Sequence, residues 1–184
     1  AVAHASLARA YDELDYSELS KGSMLRALDV ASRSRPSRLD TKRLRAIQLT
    51  VERDFENAVS VYRDLESLAP DKVSAMIDTG WALEQSDQAE SAIASYRRAL
   101  QADPANAAAK LRLTINLRRS GKLSIDDALT DLAETEMMFR AASNYEGVVA
   151  TILQRGTILN RSQRYADAGK IIDQGLAIAA ATSN

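Results

Sequence analysis

Few side chains in this sequence belong to types that perform chemistry. There is no cysteine, which excludes disulfides, thiolate metal ligands and a cysteine nucleophile. The one histidine, His4, has no carboxylate or serine arrangement around it, whereas a metal site or a catalytic base needs such partners. We therefore predict no catalytic residue, no metal and no cofactor, and we do not expect an enzyme.

Two further motifs resemble parts of functional sites. The segment Gly121-Lys122-Leu123-Ser124 has the end of a phosphate-binding loop but lacks the preceding glycine, and its context is a helix–helix turn. A cluster of acids that could bind a cation follows it: Asp126, Asp127, Asp131, Glu134 and Glu136. Because acids at a helix N-terminus interact favourably with the helix dipole, we favour a solvated helix face.

The charges of the chain are balanced, with 24 Lys and Arg against 25 Asp and Glu and a net charge of −1. This balance argues against nucleic acid or an anionic membrane as a partner, since both attract a clustered basic excess. For the one basic stretch we favour a solvated linker over a patch for an acidic partner: Arg33, Arg35, Arg38, Lys42, Arg43 and Arg45. No apolar run reaches the roughly 18 residues that span a bilayer, so we expect no membrane insertion.

The start and the composition of the chain also restrict its class. It begins Ala1-Val2-Ala3-His4, with neither an initiator Met nor a signal-peptide pattern, so we expect a piece of a longer protein. A cytoplasmic location is favoured, and the extracytoplasmic part of a membrane-anchored protein is the alternative. Hydrophobic residues make up 46% of the chain but aromatic residues only 5%, with 7 Gly and 3 Pro. Ala and Leu carry most of the apolar content, which predicts an all-α chain.

A repeat with a period of about 34 residues is the strongest signal in the sequence. Pro70 and Pro104 both follow an apolar helix end, and they lie one such period apart. Further pairs recur at the same interval: Ala46 and Gly80, Leu49 and Leu83, Ala58 and Ala92, Tyr62 and Tyr96. Each window holds two helical patterns with apolar positions at three- and four-residue spacing, which predicts a pair of amphipathic helices.

The same spacing extends outward from the central pair of copies. We predict a single array over 1–184 with an insertion at 35–38 and five copies: 1–34, 39–72, 73–106, 107–148 and 149–182. The second helix of the fourth copy, from roughly Asp126 to Phe139, is expected to be extended. Small residues such as Ala46, Gly80 and Gly156 are placed where two helices cross closely, because a larger side chain would force them apart.

This pattern resembles the tetratricopeptide repeat family, whose copies have the same length. The resemblance implies a right-handed superhelical solenoid of about five antiparallel helical hairpins, with the first helices lining a concave groove. It implies a scaffold that binds a protein or peptide in this groove. Lengthened repeats occur in tetratricopeptide arrays of large bacterial regulators, so the chain is expected to belong to a larger bacterial kinase or transcription regulator.

The residues that the resemblance places in the groove form a mostly apolar strip with arginines beside it. They are Arg43, Ile47, Ile77, Trp81, Glu84, Leu111, Arg112, Ile115 and Arg118. Trp and Arg are enriched at binding hot spots, so we expect a ligand with apolar anchors and some acidic character near Trp81. The alternative is that Trp81 packs against neighbouring first helices. Part of the family uses charged groove residues to hold the terminal carboxylate of a peptide tail. Apolar residues occupy these positions here, so we expect no binding of such peptide tails.

The last helix carries more apolar residues than one buried face requires. Because an end hairpin exposes the face that its neighbour would cover, we expect self-association, as a homodimer, through Ile171, Leu176 and Ile178. Two functions therefore stand beside the binding scaffold: a homo-oligomerisation element and a small-molecule-sensing regulator domain.

Overall fold

The computed structural model describes residues 1–182, and every regular element in that range is an α-helix. The helices are α1 (Val2–Glu13), α2 (Ser17–Ser34), α3 (Arg38–Val51), α4 (Phe55–Leu68), α5 (Lys72–Gln85), α6 (Ala89–Ala102), α7 (Ala107–Arg119), α8 (Ile125–Ala141), α9 (Tyr145–Arg161) and α10 (Tyr165–Thr182). Short turns join them. No helix in this range combines the length and the hydropathy needed to cross a membrane.

Each odd-numbered helix ends in the same tight turn. One residue adopts positive φ, and the next N–H donates to a carbonyl five residues back, as from Asp54 to Leu49 and from Lys122 to Leu117, both at 2.9 Å. In these turns the residues with positive φ are Asp15, Arg53, Asp87, Gly121 and Gln163. Helix α8 ends in the same way, with positive φ at Ser143 and a hydrogen bond of 2.9 Å from the Asn144 N–H to the Phe139 carbonyl. This turn satisfies carbonyls that a helix end leaves without a partner. Its recurrence means that the five helical pairs share one backbone design.

Polar side chains begin most of the helices. Each accepts a hydrogen bond from the backbone N–H three residues later, which satisfies one of the free donors at a helix start. These caps are Ser37, Asp54, Asp71, Asn106, Ser124 and Asn144. Because Asn144 caps α9 through the Gly147 N–H at 2.8 Å, α9 begins at Tyr145, before the predicted start of the fifth copy at 149. Helix α8 has 17 residues, which is more than the 14 of α4 and fewer than the 18 of α2 and of α10.

The chain divides into two compact units, and the first comprises Ala1–Ser95. Within it α1 packs against α2 and α3, and α4 packs against α3 and α5. A cluster of small and medium-sized apolar side chains fills the space among the first three helices: Ala5, Ala8, Met24, Ala27, Leu44 and Ile47. Burial of these side chains favours the folded state by about 25 cal/mol for each Å² of apolar surface removed from water.

The second unit starts at Tyr96 and has its own core, in which α9 packs between α8 and α10. Its buried residues are Leu111, Leu132, Phe139, Val148, Ile152, Leu159, Ala168 and Ile171. Helices α9 and α10 pack closely at Gly156, because a Cβ there would lie 2.5 Å from Ile172 Cδ1. A methyl group at this position would therefore force Ile172 to shift.

This crossing predicts opposite effects for two glycine substitutions. Gly169 lies inside α10 with nothing within 4 Å of an added Cβ, so Gly169→Ala should raise the free energy of unfolding by about 0.5–1 kcal/mol. Gly156→Ala gains the same helix propensity but meets Ile172, so it should lower that free energy by about 1–3 kcal/mol. Urea unfolding measures both. Equal stabilisation by the two substitutions would contradict the close crossing.

Candidate functional site

A pocket of about 370 Å³ opens among α1, α3, α4 and α5 of the first unit, and we call it the first-unit pocket. Its apolar wall consists of Val2, Ile47, Leu65, Ala69 and Ala75. Its polar lining consists of Ser6, Arg9, Arg43, Tyr62, Asp71, Ser74 and Asp78. The combination of an apolar wall and a few convergent polar groups is typical of ligand sites.

Arg9 holds α1 to α5 at this pocket. Its Nη1 donates to Asp78 Oδ1 at 2.6 Å across 69 residues of sequence, and its side chain is only 20% exposed. The guanidinium also lies 4.8 Å from the centroid of the Trp81 ring. Burial lowers the pKa of Arg9, but the charges of Asp78 and Glu13, the nearby Tyr62 and the hydrogen bond to Asp78 together outweigh it and raise the pKa above its ordinary value. The guanidinium therefore stays charged.

The floor of the pocket includes Tyr62, which is 2% exposed. Its hydroxyl lies 3.4 Å from Thr50 Oγ1, which itself donates to the Ala46 carbonyl at 3.0 Å, so Tyr62 is the donor in this contact. Burial raises the pKa of Tyr62, although the nearby Arg9 charge opposes the shift. Tyr62 therefore contributes a neutral, fixed surface.

Two of the predicted groove residues, Arg43 and Ile47, lie in the first-unit pocket. Trp81 does not line it: it is 5% exposed and packs edge-to-face on Phe55, with ring centroids 6.0 Å apart. Trp81 is therefore packed and buried in the structure, not exposed in a groove. Ile77, on the same helix, is half-buried. Glu84 is also half-buried, and it is engaged by a hydrogen bond, an ion pair or another non-covalent contact within the protein.

The remaining predicted groove residues belong to α7 in the second unit. Leu111 is buried in the core there, and Ile115 packs against that core. Arg112 and Arg118 are half-buried. The self-association residues differ among themselves: Ile171 is 7% exposed, Ile178 packs against the core, and Leu176 is 64% exposed. Only Leu176 presents most of its side chain to solvent.

Sequence reasoning missed Arg9, although the repeat contained a signal for it. Counted through the insertion at 35–38, Arg9 occupies in the first copy the position of Ile47 in the second and Trp81 in the third. The groove positions predicted above begin only with the second copy. Asp78, the partner of Arg9, is adjacent in sequence to the assigned residue Ile77 but points along another direction of the helix.

Many residues of the acidic cluster, the basic stretch and the Gly121–Ser124 segment have structural roles: they form ion pairs, a turn or a helix cap. Lys110 pairs with Glu134 at 2.6 Å, and Glu136 binds both Arg140 and Arg155, so much of the acidic cluster forms ion pairs. In the basic stretch Arg33 pairs with Asp29, and Lys42 with Asp64. Gly121 occupies the turn after α7, and Ser124 caps α8. Within residues 1–182 no group of three His, Cys, Asp or Glu could hold a metal ion.

A second pocket, of about 380 Å³, lies among α8, α9 and α10. Two arginines line it, but Arg155 pairs with Glu136 at 2.6 Å, and Arg164 lies 3.3 Å from Asp167. Their positive charges are thus offset by neighbouring carboxylates, and the first-unit pocket is the better candidate for a ligand.

Comparison with protein families decides the nature of the repeat. Residues 74–106, which hold most of α5 and all of α6, match the tetratricopeptide repeat. This segment is a tetratricopeptide repeat. The resemblance drawn from the repeat period is therefore confirmed. No curated protein sequence matches the chain.

Several solved structures share the fold over nearly the whole chain. MamA from Desulfovibrio magneticus RS-1 has 16% identity and a TM-score of 0.62, with 98% of each chain covered. Kinesin light chain TPR-like repeats from Podosopora anserina have 16% identity and a TM-score of 0.59, covering 99% of this chain and 96% of that one. BtubC (BKLC) from P. vanneervenii has 14% identity and a TM-score of 0.63, covering 95% and 78%. The predicted all-α helical repeat fold is confirmed.

The Arg9–Asp78 pair can be tested by a double-mutant cycle. Arg9→Met leaves the partly buried Asp78 carboxylate without its partner, and Asp78→Asn removes the charge that pairs with Arg9. The losses of unfolding free energy in the two single variants should therefore add up to more than the loss in the double variant. We expect a coupling energy of about 0.5–3 kcal/mol from urea unfolding. Additive effects within experimental error would show that the pair does not hold α1 to α5.

Proposed function

We propose that the chain is a protein-binding scaffold that accepts a peptide segment of its partner in the first-unit pocket. Tetratricopeptide-repeat proteins generally bind proteins or peptides, and the repeat and fold of this chain support the same role. The observation that carries the proposal is the juxtaposition of the apolar wall with Arg43. Such a pocket fits a segment in which an apolar side chain stands beside a carboxylate.

Arg43, and not Arg9, is the group proposed to bind the carboxylate. Arg9 is already occupied by Asp78 at 2.6 Å and Glu13 at 3.1 Å, and its face covers Trp81. Arg43 lines the pocket, is half-buried, and forms no hydrogen bond within the described part of the chain, although its charge contributes to lowering the pKa of Asp71 in the same pocket. A guanidinium in that state can offer its donors to a carboxylate in a bidentate contact.

The proposal extends to the organisation of the whole chain. We propose that the five helical pairs form one array, that the chain belongs to a larger bacterial regulatory protein, and that it is no enzyme. The tetratricopeptide family is generally not catalytic, which supports the last point. The structural relatives come from organisms as different as Desulfovibrio magneticus and Podosopora anserina, so the fold does not discriminate among cellular settings.

Self-association is the second candidate function, and the exposure of Leu176 favours it. Ile171 and Ile178 are engaged in the core of the second unit, so a homodimer through α10 would rest on Leu176. A small molecule in the first-unit pocket is a third outcome, since about 370 Å³ lies within the usual range for such ligands.

Peptide selection tests the main proposal. A phage-displayed library of short random peptides, selected on this chain, should enrich sequences with an apolar residue next to Asp or Glu. Arg43→Glu should weaken the best peptide by about 10–100-fold, because a charge-assisted hydrogen bond is lost and a repulsion is added. Fluorescence polarisation of the labelled peptide measures the affinity.

Arg45→Glu provides the matched control. Arg45 lies on α3 as well but is exposed and does not line the pocket, so this substitution makes the same charge change outside the site. It should leave the affinity of the peptide unchanged. Equal losses in the two variants would indicate non-specific charge effects, and a selection that enriches no peptide would also contradict the proposal.

A further inference from the structure

The first-unit pocket contains two pairs of opposite charges, and only one pair is in contact. Arg9 and Asp78 form an ion pair of 2.6 Å. Arg43 and Asp71 line the same pocket, but neither forms an ion pair with any residue in the range 1–182. The pocket therefore offers a ligand one positive and one negative group, namely Arg43 and Asp71.

These two groups interact through space without a direct bond. Hydrogen bonds from Ser74 to Asp71 lower the pKa of Asp71 most, and the charge of Arg43 lowers it further. Because the interaction between charges falls with distance, Arg43 must lie near the Asp71 carboxylate although the two form no ion pair. The lowered pKa also means that Asp71 is negatively charged at neutral pH.

The Asp71 carboxylate is fixed in position at the start of α5. Its Oδ1 accepts a hydrogen bond from the Ser74 backbone N–H at 3.1 Å, and its Oδ2 accepts one from the Ser74 hydroxyl. Each carboxylate oxygen can accept two hydrogen bonds, so a ligand donor can still bind. Asp71 is also exposed, and since its carboxylate is already ordered, a donor that binds there orders little additional structure.

The charges of Arg43 and Asp71 restrict the ligand to one class. A segment with acidic side chains alone would bind Arg43 but would bring a second negative charge toward Asp71. A segment with basic side chains alone would meet the corresponding repulsion from Arg43. A segment that carries one side chain of each sign pairs with both groups, while an apolar side chain contacts the wall that includes Ile47 and Leu65.

We propose that the first-unit pocket selects a peptide segment in which an acidic and a basic side chain stand close to an apolar one. Arg43 binds the acidic side chain, as in the proposed function on which this inference rests, and Asp71 binds the basic one. Asp71 is thus the specificity-determining residue of the pocket. Asp78 does not take this role, because its carboxylate already accepts a hydrogen bond from Arg9.

The peptide library selected on the chain gives the first test. The enriched sequences should contain Lys or Arg in addition to the apolar residue and the Asp or Glu. Enrichment of the apolar and acidic residues without a basic one would overturn this inference and leave the proposed function intact. A selection that enriches no peptide would overturn both.

A cycle of substitutions in peptide and protein locates the bound basic residue. The best peptide is synthesised with acetylated and amidated ends, and again with Gln in place of its Lys or Arg. On the unchanged chain, Gln should weaken binding by about 3–10-fold, because a charge-assisted hydrogen bond to an exposed carboxylate is lost. On Asp71→Asn the same change should have less than about a twofold effect, since the partner charge is absent. Competition in fluorescence polarisation measures the affinities.

Asp54→Asn is the matched control in the protein. Asp54 caps α4 through the Asn57 N–H at 3.4 Å, as Asp71 caps α5, but it does not line the pocket. Asn caps helices about as well as Asp, so both variants should keep their helices, which circular dichroism checks. Replacement of the basic residue by Gln should cost the peptide the same affinity on Asp54→Asn as on the unchanged chain.

Equal losses on the unchanged chain, Asp54→Asn and Asp71→Asn would show that the basic residue binds away from Asp71. This outcome would overturn the inference. The proposed function is judged separately, because it depends on the loss of peptide affinity in Arg43→Glu and not on any effect of Asp71→Asn.

Discussion

Close helix crossing at small side chains is the constraint on which this structure depends. Only 5% of the residues are aromatic, so few side chains are large enough to fill wide gaps between helices. The helices instead approach at fully or nearly fully buried alanines: Ala46, Ala58, Ala82, Ala92 and Ala168. Two glycines have even less room: a Cβ would lie 2.5 Å from Ile172 at Gly156 and 2.3 Å from Phe139 at Gly147. Because protein interiors are close-packed, this spacing also sets where a pocket can remain open.

The repeat period could be read from the sequence because it reflects local geometry. Prolines, small residues and apolar positions recur at one interval, and they predict paired helices and the small residue Gly156 at a crossing. The Arg9–Asp78 pair could not be predicted in this way. Periodicity tells which residues share a face of one helix, but it does not tell which helix 69 residues away lies opposite that face. The burial of Trp81 was left open for the same reason.

The first-unit pocket depends on how α1 meets α5. The Arg9–Asp78 pair closes this contact and leaves the pocket open beside Arg43. Ala75, near the start of α5, lines the pocket, whereas Ala82, further along the helix, is fully buried. A partner peptide would therefore contact the first turns of α5 and not its buried end.

The central claim is that a partner segment binds among α1, α3 and α5 of the first unit. Amide chemical-shift changes in the isotope-labelled chain, recorded while a selected peptide is added, test it most directly. The account predicts that the largest changes occur at residues lining the first-unit pocket, such as Ser6, Arg43 and Ala75. Changes confined to the helices of the second unit would contradict it.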